Sequence, residues 1–161
     1  MKKETTALKG LTFKNYQLQV LANLLDTPLH GQEMRSRTRF LRVLMAQGDE
    51  INDIRKAKLI ELAEKDKDGN PKMVADQPHQ YDLSPENLAK FQEFYKELMQ
   101  EPTVIDILAS NVDDIRNVYN MLSKLPTALG AADAEEYELL MEAFEANKDD
   151  FMAVAKAKPK K

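Results

Sequence analysis

The feature that most constrains the fold is a run of helical periodicity from Gly31 to about Lys65. Apolar residues recur there every three or four positions, so they form a continuous seam along one side of a helix. The seam comprises Phe40, Leu44, Ile51 and Ile54 on one line, with Met34, Leu41, Met45 and Leu62 beside it. Gly48 costs roughly 1 kcal/mol relative to alanine inside a helix, so we expect one helix that bends near this residue. Another element must cover the seam, which predicts a helical protein.

Arginines follow the first turns of this helix at i, i+4 and i+7, as Arg35, Arg39 and Arg42. That spacing brings three guanidinium groups to one face within roughly 10 Å of axial rise. We expect Arg37 on a neighbouring face, and Lys14 close by if the first helix packs beside the row. Guanidinium groups pair geometrically with carboxylate and phosphate. These five residues are therefore the candidate site for an anionic ligand or an acidic partner surface.

A structural interpretation of the arginine row stays open. Long arginine side chains often cover apolar surface with their methylene groups. They also pair with acids on an adjacent helix, for which Glu93 and Glu97 are candidates, and such exposed pairs contribute modestly to stability. In that case the row belongs to the fold and not to a binding site.

The rest of the chain shows four further helical patterns and one strand pattern. A helix is expected over about residues 13–26, a second starts at Ser84-Pro85 with serine as its N-cap, and the others cover about residues 111–126 and 131–147. Residues 103–108 are β-branched and apolar, which predicts a short strand paired with Met73-Val74 or Tyr81. The predicted fold is mainly α, an antiparallel helical hairpin or bundle of about five helices with a two- or three-stranded β patch.

The turn at residues 66–71 is expected to fold the long helix back onto the helix that starts at Ser84. Contacts are predicted between two sets of apolar residues: Leu41, Leu44 and Ile51 on the long helix, and Phe91, Phe94 and Leu98 on the next. The domain organisation that follows is a flexible N-terminus (residues 1–10), one helical domain (11–147) and a mobile C-terminal tail (148–161).

Composition excludes several classes of function. The chain has 161 residues, which suits one domain, and it has no cysteine, so disulfides, thiolate catalysis and thiolate zinc sites are absent. A net charge of −4 argues against nucleic acid as the main partner. No apolar run reaches the roughly 20 residues of a spanning helix and no secretory signal pattern follows Met1, so we expect no membrane association and a cytoplasmic location.

The sequence carries no motif that indicates catalysis. The turn from Asp66 lacks the glycine and the acid that a calcium loop needs at its sixth and twelfth positions. His30 and His79 are not at metal-ligand spacing, and adjacent carboxylates such as Asp113-Asp114 suit the first turns of helices. We therefore expect no catalytic residues, no metal, no cofactor and no enzymatic activity.

Four stretches resemble a known family. They are residues 11–19 (LTFKNYQLQ), 35–40 (RSRTRF), 63–71 (AEKDKDGNP) and 136–145 (EYELLMEAFE). Together they are similar, in the same order over about residues 11–146, to short uncharacterised proteins encoded by tailed phages and prophages of Gram-positive bacteria. The shared features are compositional and not catalytic, so the resemblance implies origin and carries over no site residues. Residues 72–83 depart from the family, which has a more regular acidic hairpin there.

These observations lead to one main expectation about function and two alternatives. The main expectation is a phage accessory protein in the host cytoplasm that binds a host, phage or defence protein, or a small anionic ligand such as a nucleotide. The first alternative is a structural or assembly component of the virion that forms an oligomer. The second is an enzyme without a recognisable motif.

Overall fold

The computed structural model describes residues 10–125 and 129–153. Its described part is mainly helical, with six helices and one two-stranded antiparallel sheet, which confirms the predicted fold class. The elements in chain order are β1 (Gly10–Lys14), α1 (Asn15–Leu24), α2 (Gly31–Leu62), α3 (Pro85–Gln100), β2 (Pro102–Asp106), α4 (Val112–Leu122), α5 (Ala131–Glu145) and α6 (Lys148–Met152). Across these segments, no helix is both long enough and apolar enough to cross a membrane.

The long helix α2 is continuous for 32 residues and passes through Gly48, which is about 48 Å at the normal helical rise. It ends at Leu62, slightly earlier than predicted, because Ala63 has extended backbone angles. All of its buried residues lie in the first half: Ser36, Phe40 and Leu44. The core of a small domain cannot cover a helix of this length. Ile51 still packs against that core, and α3 packs against the second half further along.

The second half of α2 and the antiparallel helix α3 form a two-helix extension, which we call the helical arm (residues 49–100). The side chain of Asn87 donates a hydrogen bond to the Leu62 carbonyl (2.9 Å), and the Lys58 ammonium lies 5.5 Å from the centre of the Phe94 ring. Ser84 caps α3 as predicted, since its hydroxyl accepts from the backbone N–H of Asn87 (3.2 Å). The antiparallel hairpin expected from the sequence is present.

The predicted apolar contacts within this hairpin are wrong for Leu41 and Leu44. Leu44 is buried in the central core, and Leu41 packs against that core. Phe91 and Phe94 lie in the arm, where they are only partly buried. Helical periodicity identifies the apolar seam of α2, but it does not say that different stretches of the seam meet different partners.

Aromatic residues from separate elements form the centre of the core. The ring of Phe144 on α5 lies 5.6 Å from Phe13, 6.2 Å from Phe40, 6.1 Å from Tyr119 and 6.3 Å from Phe151, measured between ring centroids. Pairs at these separations are worth about 0.5–1.5 kcal/mol beyond the apolar area they bury. This aromatic cluster joins β1, α2, α4, α5 and α6.

The strand predicted at residues 103–108 exists as β2, but its predicted partner is wrong. It pairs with β1, from Gly10 opposite Asp106 to Lys14 opposite Pro102, and Met73 forms an isolated bridge with Tyr81. The segment between α2 and α3 satisfies its own backbone groups locally, so it offers no edge to β2. Gly10 permits the close approach of the strands, because a Cβ there would lie 2.5 Å from the side chain of Val104.

The first residues of the predicted mobile tail belong to a helix instead. Residues 148–152 form α6, and Phe151 is fully buried against Phe144 and Tyr119. Residues 154–161 lie outside the described residues, as does all of the expected flexible N-terminus (1–10) except Gly10. A single buried aromatic in a short charged segment leaves too little periodicity to predict a helix.

We expect Leu44→Ala to lower the free energy of unfolding by about 2–5 kcal/mol, because it leaves a cavity in the core. Ile54→Ala is the matched control, since the Ile54 side chain is 49% exposed and lies in the arm. Its loss should be about 1 kcal/mol or less. Urea unfolding measures both values, and equal losses would contradict the assignment of Leu44 to the core.

Phe151→Ala should cost about 3–5 kcal/mol, as truncation of a fully buried aromatic does. Thermal and urea unfolding test this against Met152→Ala, an adjacent and only partly buried residue. A Phe151 variant as stable as wild type would place α6 outside the folded domain.

Candidate binding groove and the arginine row

Arg37 is an internal structural residue. Its guanidinium donates hydrogen bonds to the carbonyl of Leu25 (3.2 Å) and to that of Thr27. These carbonyls follow the end of α1, where backbone acceptors have no partner within the helix. Arg37 therefore ties the end of α1 to α2 and is committed to the fold.

Arg39 forms an ion pair with Asp114 (3.3 Å), so the acid that meets the arginine row comes from α4 and not from Glu93 or Glu97. Asp114 is buried, and the same carboxylate oxygen accepts a hydrogen bond from the Ser36 hydroxyl (2.9 Å). The side chain of Asn117 donates to Ser36 (2.9 Å). A buried carboxylate is costly unless it is hydrogen-bonded, and this network satisfies Asp114 between α2 and α4.

Arg35 and Arg42 point outward, and within the described residues neither has a hydrogen bond or an ion pair. Arg35 and Arg39 line an open depression of about 480 Å³ at the start of α2, together with Gly31, Gln32 and Met34. The Arg39 side chain remains 54% exposed despite its ion pair. The arginines are thus divided into three kinds. Arg37 is turned inward, Arg39 is paired with Asp114 but half exposed, and Arg35 and Arg42 point outward.

Lys14 is not part of this cluster. Its ammonium donates to the side chain of Gln100 (2.9 Å) at the start of α1, whereas Arg37 contacts the other end of that helix. The first helix does pack beside α2, but Lys14 lies at its far end. The five candidate residues therefore do not converge on one site.

A groove of about 630 Å³ lies between α1 and α2, and we call it the α1–α2 groove. Apolar side chains from both helices line it: Leu18, Ala22, Leu25, Leu41, Leu44, Met45 and Ile51. Small residues create the space, because Gly48 has no side chain and a Cβ added to it would meet no atom within 4 Å. Gly48 is the residue whose presence in the sequence could have indicated the groove, but it was interpreted only as a bend in the helix.

Polar residues on both helices complete the lining of the groove. Asp26 follows α1 and Asp49 lies on α2, and the side chains of Gln19 and Asn23 are hydrogen-bonded to each other (2.8 Å). The one basic residue in the lining is Arg37, whose guanidinium is already engaged by carbonyl groups. The groove therefore offers an apolar surface with uncommitted acids.

Perturbed pKa values arise elsewhere. Burial raises the pKa of the Tyr16 hydroxyl, and its hydrogen bonds to the Glu136 carboxylate (3.2 Å) raise it further. Burial also raises the pKa of Tyr137. The backbone N–H of Asn70 donates to Asp66 (2.8 Å) and lowers the pKa of that carboxyl group. None of the three titrating side chains lines the groove.

Comparisons with known proteins do not assign a family or a function to this chain. No protein-family model, no curated protein and no solved structure matches the chain. Within the two described segments, no group of three or more histidine, aspartate or glutamate side chains is placed to hold a metal ion. The groove and the charged surfaces are therefore the features of this chain that bear on its function.

The three kinds of arginine should differ in their effect on stability. Arg37→Ala should lower the free energy of unfolding by about 1–3 kcal/mol, because the Thr27 carbonyl loses its guanidinium donor and the Leu25 carbonyl keeps only the Thr27 N–H. Arg39→Ala should cost about 1 kcal/mol, because its guanidinium is half exposed and the buried Asp114 keeps the Ser36 hydroxyl, and Arg35→Ala should stay within about 0.5 kcal/mol of wild type. Urea unfolding of the three variants gives the order, and an Arg35 variant as unstable as Arg37→Ala would contradict it.

Proposed function

We propose that this chain is a non-enzymatic accessory protein of a tailed phage, which acts in the host cytoplasm by binding a host, phage or defence protein. The resemblance over residues 11–146 supports the phage origin, and the lack of a catalytic motif supports binding. The observation that carries the proposal is the α1–α2 groove, because it is an open apolar surface of a size that fits part of a partner.

The shape and chemistry of the groove define the partner. α1 is ten residues long, about 15 Å, so the groove can take the apolar side chains of two or three turns of a helix. Asp26 and Asp49 in its lining favour lysine or arginine on the same segment. The partner presents an amphipathic segment with an apolar stripe flanked by basic residues.

The arginine contacts favour a protein partner over a small anionic ligand. A phosphate bound at Arg39 would lie near the negative charge of Asp114, and it cannot recruit Arg37 from the carbonyls of Leu25 and Thr27. The net charge of −4 also disfavours nucleic acid as the main partner.

Gly48 gives a test that leaves the fold intact. Gly48→Leu should fill the groove without a clash, since open space surrounds the position where a Cβ would lie. Gly48→Ala is the matched control, because it adds one methyl group. Both substitutions should raise the free energy of unfolding by roughly 0.5–1 kcal/mol, through the helix propensity of the new residue.

The readout is affinity capture from infected host cells with the wild-type chain and the two Gly48 variants as baits. We expect a specific protein to be retained by wild type and by Gly48→Ala, and to be lost with Gly48→Leu. A partner that binds all three baits equally would show that the groove is not the binding surface.

A small anionic ligand is the second candidate, because Arg35 and Arg39 line the depression at the start of α2. Thermal-shift measurements with nucleotides, cyclic nucleotides and short nucleic acids at two salt concentrations test it. Arg35→Glu is the appropriate variant, since Arg39→Glu would place a second carboxylate beside Asp114. If a ligand stabilises the wild type and Gly48→Leu but not Arg35→Glu, the binding function belongs to the arginine row and not to the groove.

A further inference from the structure

One side of α2 carries opposite charges in its two halves. Arg35, Arg39 and Arg42 occupy the first half, and Asp49 and Asp53 follow in the second. At 100° per residue these five positions lie within about 40° of a single line along the helix. All five residues are exposed, and Ala46, which lies between the basic and the acidic group, is exposed as well. We call this surface the charged face of α2.

The neighbouring elements leave this face uncovered. α4 contacts α2 through Ser36 and Asn117, and α1 contacts it through Arg37. α3 packs against the second half of α2 on the side of Lys58 and Leu62. The charged face lies outside all three contacts, apart from the ion pair that Arg39 makes with Asp114.

We propose that a second copy of this chain binds the charged face in an antiparallel orientation, with a two-fold axis near Met45 and Ala46. Arg42 and Asp49 lie equally far from the midpoint between those two residues. Reversing one helix against the other therefore places Arg42 of one copy opposite Asp49 of the other, and the two-fold axis repeats the pair.

A second pair follows from the same axis. Arg39 and Asp53 are symmetric about Ala46, half a residue from the midpoint of the first pair, so they also lie close to each other in the antiparallel arrangement. A parallel arrangement would place like charges opposite each other, which disfavours it. The guanidinium of Arg39 has five N–H donors and is half exposed, so it can keep Asp114 while it accepts a second carboxylate.

The centre of the face suits a close contact between helices. Ala46 has a small side chain, which lets two helix axes approach to about 8 Å. Met45 is 67% exposed, the most exposed large apolar side chain among the described residues. The two-fold axis brings both copies of Met45 to the same edge of the contact, where they bury each other.

Two features limit the strength of this dimer. The charge pairs are exposed, and each contributes little in water. At each outer end of the contact, Arg35 of one copy lies opposite Ala57 of the other, and Lys56 is next to Ala57. Repulsion between Arg35 and Lys56 therefore opposes association at low salt, and added salt reduces it. The dimer is therefore weak and dependent on ionic strength. The proposed dimer goes beyond the proposed binding function.

Charge reversal on the full chain tests the proposal, with sedimentation velocity over a range of concentrations at low and high salt as the measurement. Arg42→Glu alone and Asp49→Arg alone should each weaken self-association by about tenfold or more, because each creates two repulsive pairs. An equimolar mixture of the two variants should associate as tightly as wild type, since every pair in the mixed dimer is again complementary.

Lys96→Glu is the control, because it changes net charge as Arg42→Glu does but lies on α3, where the second copy makes no contact. Its self-association should equal that of wild type. A wild-type chain that stays monomeric at roughly millimolar concentration overturns the proposal. A dimer unaffected by Arg42→Glu, or a mixture that does not recover association, overturns it as well. Asp49 also lines the groove, but Arg42 does not, and self-association is measured with no partner protein present, so the Arg42→Glu result separates this proposal from the groove.

Discussion

The burial of one stripe of α2 under the aromatic core determines where everything else in this protein lies. Ser36, Phe40 and Leu44 form the stripe, and the Phe40 ring lies 6.2 Å from that of Phe144 at the centre of the cluster. A helix is stiff along its axis, so anchoring its first half also directs its second half away from the core. The arm, the groove and the charged face are consequences of that one contact, because all three are other parts of the same helix.

The same geometry explains why much of the surface of α2 remains available for binding. A stripe buried on one side leaves a side against α1, where Gly48 and Ala22 are too small to fill the space and a groove results. It also leaves an outer side on which charge is the dominant property. In the arm, the Lys58 ammonium lies over the Phe94 ring, so a charged residue covers part of this aromatic side chain.

The buried carboxylate of Asp114 is the second constraint. Sequence reasoning assigned it to the first turn of α4 as a complement to the helix dipole, and it does lie there. Its burial requires partners, which Ser36 and Arg39 supply from α2. Asn117 then bonds Ser36. The arginine row is divided for this reason, because the fold uses the guanidinium groups that face inward and leaves Arg35 and Arg42 to solvent.

Local signals in the sequence determined helices α1 to α5, the cap at Ser84 and the strand at residues 103–108. Each of these depends on residues within one or two turns, where propensity and periodicity act. The tertiary structure alone decided that β2 pairs with β1, that Leu44 joins Phe144, that Phe151 is buried and that Arg39 meets Asp114. These contacts join distant segments, and several apolar stripes or acids were chemically equivalent candidates for each. Only the packing of the whole chain, in which every buried group must be covered or hydrogen-bonded at once, selects among them.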